Sequence, residues 1–420
     1  DGRQLAWVEW QQPHMPWQRS QLWLADVATE GTLRQPRVVA GSGSGDAQAV
    51  SVFQPLWLGA GELVVASDES GWWNLQRLHT DTGRWQSLLP MAAEFAMPQW
   101  VYGMRTSAWD GRRLIAAACR EGVWQLGEVA LDAERVGSAA AWQPLAVPFD
   151  DLGGLSAENG RLVAVASSPT SPQGLLEVEL ATGEWRHTPV APCPRAAGAI
   201  SQPQAWWFAG HGGARTQAWF YPPIGGASAH SPLLVKGHSG PTGMARRGLS
   251  LAIQFWTTRG WGVVDVNYGG STGFGKAYRE RLDGQWGVAD VTDCAAAARS
   301  LVAAGKASAA RIAIEGGSAG GFTALAALCF TDVFRAAACR YPVCDPAALA
   351  QHDHRFEARY LDGLIGPWPE AAVTYTARSP LAHAERIRCP VILFQGLEDL
   401  SLIHISEPTR QLASSRMPSS

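Results

Sequence analysis

Four segments in the first half of the chain repeat one phrase, and that repeat limits the fold more than any other feature. DGRQLAWVEW from Asp1, AGELVVASDE from Ala60, DGRRLIAAAC from Asp110 and NGRLVAVASS from Asn159 each set a glycine-containing turn before an alternating apolar strand. Their starts lie about 50 residues apart. A second phrase follows several of them: SQLWLADV at Ser20, NLQRLHTDTGRW at Asn74 and LLEVELATGEW at Leu175. It reads as a hairpin closed by Asp-Thr-Gly or Ala-Thr-Gly. Strand quartets at this period are the pattern of β-propeller blades, with an irregular β-sandwich as the alternative. The 20 tryptophans suit either, because large aromatics fill the space between packed sheets.

After Pro222-Pro223 and the small-residue stretch Gly225–Ser228 the pattern changes. SPLLVKGH, GWGVVDVNY, ARIAIEG, FRAAACRYPV and CPVILFQG are unbroken apolar runs, and helical segments separate several of them, among them Trp286–Ala304 with Asp290 and Asp293 in its early turns. Strands buried on both faces and alternating with helices predict a parallel α/β sheet. The expected organisation is an incomplete β-propeller of about four blade-like repeats over 1–223, an α/β domain over 224–399, and a tail over 400–420 without sustained period.

Composition narrows the function classes. Of 420 residues, 46% are hydrophobic and 17% charged, with a net charge of −3. No basic surface is available to drive nucleic-acid binding, and the charge is too low for a charge-driven disordered chain. The longest apolar runs fall short of the ~18 residues that a membrane span requires. Neither nucleic acid nor membrane is therefore an expected partner, and no motif speaks to oligomeric state. Seven cysteines form no CxxC pair, which reads as reduced, buried thiols and fits a cytoplasmic setting. The chain opens at Asp1-Gly2 without an initiator methionine, so no leader can be judged.

The chemistry centres on RIAIEGGSAGGFTALAALCF, Arg311–Phe330. A buried strand, then Gly316-Gly317-Ser318-Ala319-Gly320-Gly321, then an Ala- and Leu-rich helix place G-x-S-x-G in the strand–turn–helix setting of a nucleophile elbow. Such a turn holds Ser318 in strained backbone geometry, and bulk at Gly316 or Gly320 would meet neighbouring backbone. The helix start aims the Ala319 N–H at a developing oxyanion. Chain order then calls for an acid and a histidine. Asp399, after the run CPVILFQGLE, is the candidate acid, with Glu398 as its rival. Upstream, the loop Lys236–Pro241 follows an early strand and can offer a second oxyanion N–H. His238 within it precedes the serine and reads as a loop-shaping residue.

Taken together, GHSGPTG, QFWTTRGWGVVDVNYGGSTGFGKAYRERLDGQWGVADVTDC, IEGGSAGGFTALAAL, RFEARYLDGLIGPWPE and CPVILFQGLED resemble the prolyl oligopeptidase family of serine peptidases, in its dipeptidyl aminopeptidase/acylaminoacyl-peptidase-like branch. The likeness covers nearly all of Ser231–Asp399, and the N-terminal repeats suit that family's propeller. It implies an α/β-hydrolase peptidase domain, Ser318 as nucleophile, Asp399 as triad acid, the Ala319 and Gly240 N–H groups as oxyanion hole, and a propeller that admits only short peptides. It also implies Phe356 and Tyr360 near the pocket for the residue before the scissile bond. The family usually has His-Gly-Gly-Pro where this chain has His238-Ser239-Gly240-Pro241, and that departure bears on the second donor.

The family's histidine stands some thirty or more residues beyond the acid, whereas here the one later histidine is His404, five residues on. The tail resembles the translation of a sequencing adapter around SLIHISEPTR. Both ends therefore read as cut, and the expected consequence is a chain that lacks its triad histidine and is inactive as written.

Three other clusters compete for a role. Gly270–Lys276 fits G-x-x-x-x-G-K, but Ala277 stands where a nucleotide site needs a hydroxyl, leaving a Gly-rich surface loop. His352-Asp353-His354 lacks a further ligand set, so no metal and no cofactor is expected. Glu94 reads as a surface turn acid, the alternative being an acid that binds a peptide's amino terminus. The expected function is a serine exopeptidase or oligopeptidase acting through an acyl-enzyme. The alternatives are a carboxylesterase with the same machinery and a non-catalytic propeller–hydrolase scaffold.

Overall fold

A computed structural model describes residues 2–193, 197–352 and 354–396. The chain divides into two compact units. The first comprises residues 1–194 together with Arg246–Leu249 and Thr272–Ala277; the second holds the remainder.

The first unit is a run of four antiparallel sheets, one for each repeat of the sequence phrase. They contain β1 (Gln4–Glu9), β2 (Gln21–Val27) and β3 (Leu33–Gly41); β4 (Val52–Gly59), β5 (Glu62–Ser67), β6 (Asn74–His79) and β7 (Arg84–Ser87); β8 (Ser107–Trp109), β9 (Leu114–Arg120), β10 (Val123–Val129) and β11 (Trp142–Pro144); and β12 (Asp151–Glu158), β13 (Arg161–Ser168), β14 (Ser171–Glu179) and β15 (Trp185–Pro189). The turn chemistry explains the register. Asn159 and Gly160, with φ of 49° and 79°, form a two-residue turn of left-handed backbone that leaves Glu158 opposite Arg161. The alternating strands put their apolar sides between sheets: Leu22 of the first packs with Val52, Leu63, Val65 and Leu78 of the second, all buried. These are blades of a β-propeller.

Among the described residues the second unit is built on one seven-stranded sheet in the order β16-β17-β19-β18-β20-β21-β22. Its strands are Gln204–Ala209 (β16), Arg215–Tyr221 (β17), Leu233–Gly237 (β18), Gly262–Asn267 (β19), Ile312–Gly317 (β20), Ala336–Arg340 (β21) and Val391–Phe394 (β22). The five unbroken apolar runs are the five mutually parallel strands, β18 to β22. The pair β16–β17 joins them antiparallel through β17–β19. These two strands precede Pro222, so the second unit starts earlier than the change of sequence pattern suggests. Their aromatic, alternating pattern reads the same in a blade as at the antiparallel edge of a mixed sheet.

The helices are α1 (Leu251–Thr257), α2 (Lys276–Arg279), α3 (Ala289–Ala303), α4 (Ala319–Phe330), α5 (Pro346–His352), α6 (Tyr360–Leu364) and α7 (Ala372–Arg378). Eleven of the twelve residues of α4 are buried, which is why it is apolar on every side. On α3, Asp290 and Asp293 are buried and used as backbone acceptors and tethers. Asp290 accepts from the Gly287 N–H at 2.7 Å and the Thr323 hydroxyl at 2.5 Å, and Asp293 accepts from the Gly269 N–H at 2.7 Å and the His211 N–H at 2.6 Å. All seven cysteines are free thiols, five of them buried. Among the described residues no helix is long and apolar enough to cross a membrane.

Candidate active site

Ser318 sits between β20 and α4 with φ 52° and ψ −121°, a left-handed conformation that a side chain rarely adopts. Five small residues flanking it, Gly316, Gly317, Ala319, Gly320 and Gly321, make that turn sterically possible. A Cβ on Gly316 would run into the Gly320 carbonyl, and one on Gly320 into the Gly237 carbonyl. One on Gly321 would lie 2.7 Å from the Pro342 ring. The Ser318 N–H donates to the Arg340 carbonyl at 3.0 Å, and the Ser318 carbonyl accepts the first helical bond, from Phe322, at 3.0 Å. The Ser318 side chain makes no capping bond to its helix, so its hydroxyl is not spent on holding the turn. Ala319 opens α4, and an N–H in the first turn of a helix has no partner within it.

The loop after β18 lies directly against this turn. Tyr268 stacks on His238 with ring centroids 4.2 Å apart and donates its hydroxyl to the His238 carbonyl at 2.8 Å. The His238 Nδ1 lies 3.0 Å from the Ser239 carbonyl, to which it can only donate, so Nε2 is the acceptor for the Ser271 hydroxyl at 2.7 Å. Burial pushes the His238 imidazole down to about 4, against a smaller opposing effect of the Ser239 carbonyl. A neutral ring with both nitrogens occupied is a loop-shaping residue. Ser239 donates its hydroxyl to the Gly317 carbonyl at 2.7 Å. Tyr360 is buried and lies 2.5 Å from the Thr242 hydroxyl and 3.2 Å from the Thr242 N–H, so it braces the far end of the same loop. Phe356 is half-buried, its ring 6.5 Å from that of His354.

Two features escape a reading of the sequence. Below the turn, Asp265, Lys236 and Glu315 stand in register across β19, β18 and β20, with Lys236 2.7 Å from Glu315 and Arg340 3.8 Å from Glu315. Burial raises the Asp265 carboxyl to about 6; Lys236 opposes this and Glu315 adds to it. Charged residues inside apolar strands were the available signal. Beside the turn, Tyr341 has φ 37° and is 42% exposed, and its ring covers the Gly317 Cα, 3.2 Å from where a Cβ would sit.

Asp399, Glu398 and His404 lie outside the described residues, as does Asp353 of the His352-Asp353-His354 cluster. Among the described residues no group of three or more His, Cys, Asp or Glu could hold a metal. Neither reading of Glu94 matches its surroundings. It is 1% exposed and accepts the N–H groups of Gly273 at 3.2 Å and Gly275 at 2.9 Å. The Gly270–Lys276 loop is correspondingly not a surface loop: Ser271 and Thr272 are buried, and Lys276 pairs with Asp68 at 3.5 Å.

Residues 247–415 match the family model described as Prolyl oligopeptidase family. Dipeptidyl aminopeptidase BIII of Pseudoxanthomonas mexicana is 33% identical over 184 residues, 42% of this chain and 26% of the relative. Among solved structures, puromycin hydrolase superposes with a TM-score of 0.90 at 37% identity, over 98% of this chain and 62% of that one. A puromycin-hydrolyzing peptidase of Mycobacterium tuberculosis does so with a TM-score of 0.90 at 39% identity, over 99% and 63%. The chain thus spans about a quarter of the curated relatives it matches and about three fifths of these solved chains.

Proposed function

We propose that this chain, whose residues 247–415 carry the prolyl oligopeptidase match, is a serine peptidase that cleaves amide bonds in short peptides and aminoacyl compounds. The first unit serves as its β-propeller and the second as its catalytic domain. The observation that carries the reading is the backbone of Ser318: a strained, left-handed serine between a parallel strand and a buried helix, with its hydroxyl left out of the cap. Strain of this kind costs about 1–3 kcal/mol and persists where function requires it.

In the proposed reaction the Ser318 Oγ attacks the scissile carbonyl as its proton passes to a base. The carbonyl oxygen becomes an oxyanion, held by the Ala319 and Gly240 N–H groups. Collapse breaks the C–N bond, the base returns the proton to the departing amine, and water then releases the acyl group from Ser318. Asp399 is the proposed orienting acid. Tyr360 acts through Thr242 on the oxyanion loop, and Phe356 is the proposed contact for the residue before the scissile bond.

No imidazole bonds to Ser318 among the described residues. His383 packs on Phe330 at the opposite end of α4, and His354 pairs with Glu357 at 3.2 Å. The base therefore comes from outside the described residues, and a chain without one would keep only residual catalysis, ~10³–10⁴-fold over water.

Substrate class follows from likeness to the two puromycin-hydrolysing structures and from a puromycin hydrolase mutant solved with PGG. The test is hydrolysis of puromycin, aminoacyl-coumarin amides and short p-nitrophenyl esters by the purified chain and by Ser318→Ala. Amide cleavage that disappears in the variant upholds the reading. Ester cleavage alone would make the protein a carboxylesterase, and no Ser318-dependent hydrolysis of either kind overturns the enzyme reading in favour of a non-catalytic scaffold.

A further inference from the structure

The two candidate oxyanion donors lie on separate pieces of chain. Ala319 belongs to the nucleophile turn and Gly240 to the loop after β18. They lie 79 positions apart along the chain, so non-covalent ties must set their separation. Backbone packing provides one, since the Gly237 and His238 carbonyls crowd the Gly320 Cα. The β18–β20 ladder, which pairs Gly237 with Gly316, provides a second, and a third is a side-chain bond that runs straight from loop to turn: the Ser239 hydroxyl on the Gly317 carbonyl, at 2.7 Å.

The placement of that bond is informative. Its donor is the residue immediately before Gly240, and its acceptor belongs to the residue immediately before Ser318. Tyr268 on the His238 carbonyl and Tyr360 on Thr242 brace the loop against other neighbouring segments. A single part-buried hydroxyl-to-carbonyl bond adds only modestly to the stability of the fold. Its consequence for geometry is larger, because an oxyanion hole depends on donors being in place before charge develops.

We propose that Ser239 is a positioning residue: its hydroxyl clamps the oxyanion loop to the nucleophile turn and so holds the Gly240 and Ala319 N–H groups at a working separation. The inference rests on the peptidase reading. It also explains how a chain with serine in the second position of His-Ser-Gly-Pro accommodates a side chain there: the serine makes a contact that glycine has no atoms to make.

The test uses the full chain with Ser239→Ala and Ser239→Thr. Hydrogen exchange in the peptide covering 238–243 reports on the clamp without requiring turnover, and Ser318-dependent amide hydrolysis reports on its use. Ser239→Ala is expected to speed exchange in that peptide and to lower kcat about tenfold with KM nearly unchanged. Ser239→Thr, which keeps the hydroxyl, is expected to restore both. Unchanged exchange in Ser239→Ala, faster exchange with an unchanged kcat, or a threonine variant that rescues neither would each overturn the proposal. If the wild-type chain hydrolyses nothing, the peptidase reading falls, and the exchange comparison by itself upholds or overturns the clamp.

Discussion

The Ser318 N–H is bonded to the Arg340 carbonyl at 3.0 Å, so the proposed nucleophile is tied to the neighbouring strand through its N–H while its carbonyl accepts the first bond of its own helix. Gly317 stands opposite Arg340 in the parallel register, and the ladder runs one residue past the end of β20 before the chain turns. The strained φ of 52° therefore begins while the backbone is still tied to β21. That tie, and the absence of side chains at Gly316 and Gly320, let a serine occupy a conformation it would otherwise leave.

The same packing makes these glycines intolerant of substitution. Gly316→Ala and Gly320→Ala each drive a Cβ into fixed backbone and are expected to cost about 3 kcal/mol or more. Urea denaturation of each variant against the wild type checks this. A loss below about 1 kcal/mol would mean that the turn can open to admit a methyl group.

Ser318→Gly is expected to do the reverse. It removes the hydroxyl and the strain together, so stability should rise by about 1 kcal/mol while labelling by a fluorophosphonate disappears. A rise in the unfolding midpoint with loss of labelling is the result that supports a strained nucleophile.

Stability should fall as pH rises through the window set by Asp290. Burial raises this carboxyl to about 6, against opposing hydrogen bonds from Thr323 and Gly287. Because the folded value lies above the unfolded one of about 4, the folded state holds the proton more tightly, and its stabilisation is present below pH 4 and lost as pH rises through 6. Asp290→Asn should flatten this part of the stability–pH curve, by about 1–3 kcal/mol between pH 4 and 7. Chemical denaturation at a series of pH values measures the slope directly; an identical slope in the variant would assign it elsewhere.

Glu94 separates a structural from a substrate-binding role. Glu94→Ala strands the Gly273 and Gly275 N–H groups in a buried place and is expected to destabilise the protein by about 2–4 kcal/mol. An acid that held a peptide's amino terminus would instead raise KM and leave the unfolding midpoint where it was. Thermal unfolding and peptide kinetics on the one variant distinguish the two.

What could be read from the residues in order was whatever depends on local chemistry and period. The phrase at Asp1, Ala60, Asp110 and Asn159 specified four sheets, because turn glycines and period-two strands act over a few residues. Unbroken apolar runs specified five parallel strands, and G-x-S-x-G between a strand and a helix located Ser318 and its two obligatory glycines.

What only the tertiary structure decided depends on residues far apart in the chain. Strands β16 and β17 look like blade strands until β19 pairs with them. Glu94 looks like a surface acid until two backbone N–H groups about 180 residues away close on it. Ser239 looks like a departure from a glycine motif until Gly317 supplies the carbonyl for its hydroxyl. A carboxylate or hydroxyl carries no mark of its partner in its own sequence neighbourhood. Folding selects the partner, because a buried polar group left without one costs more than the contact itself contributes.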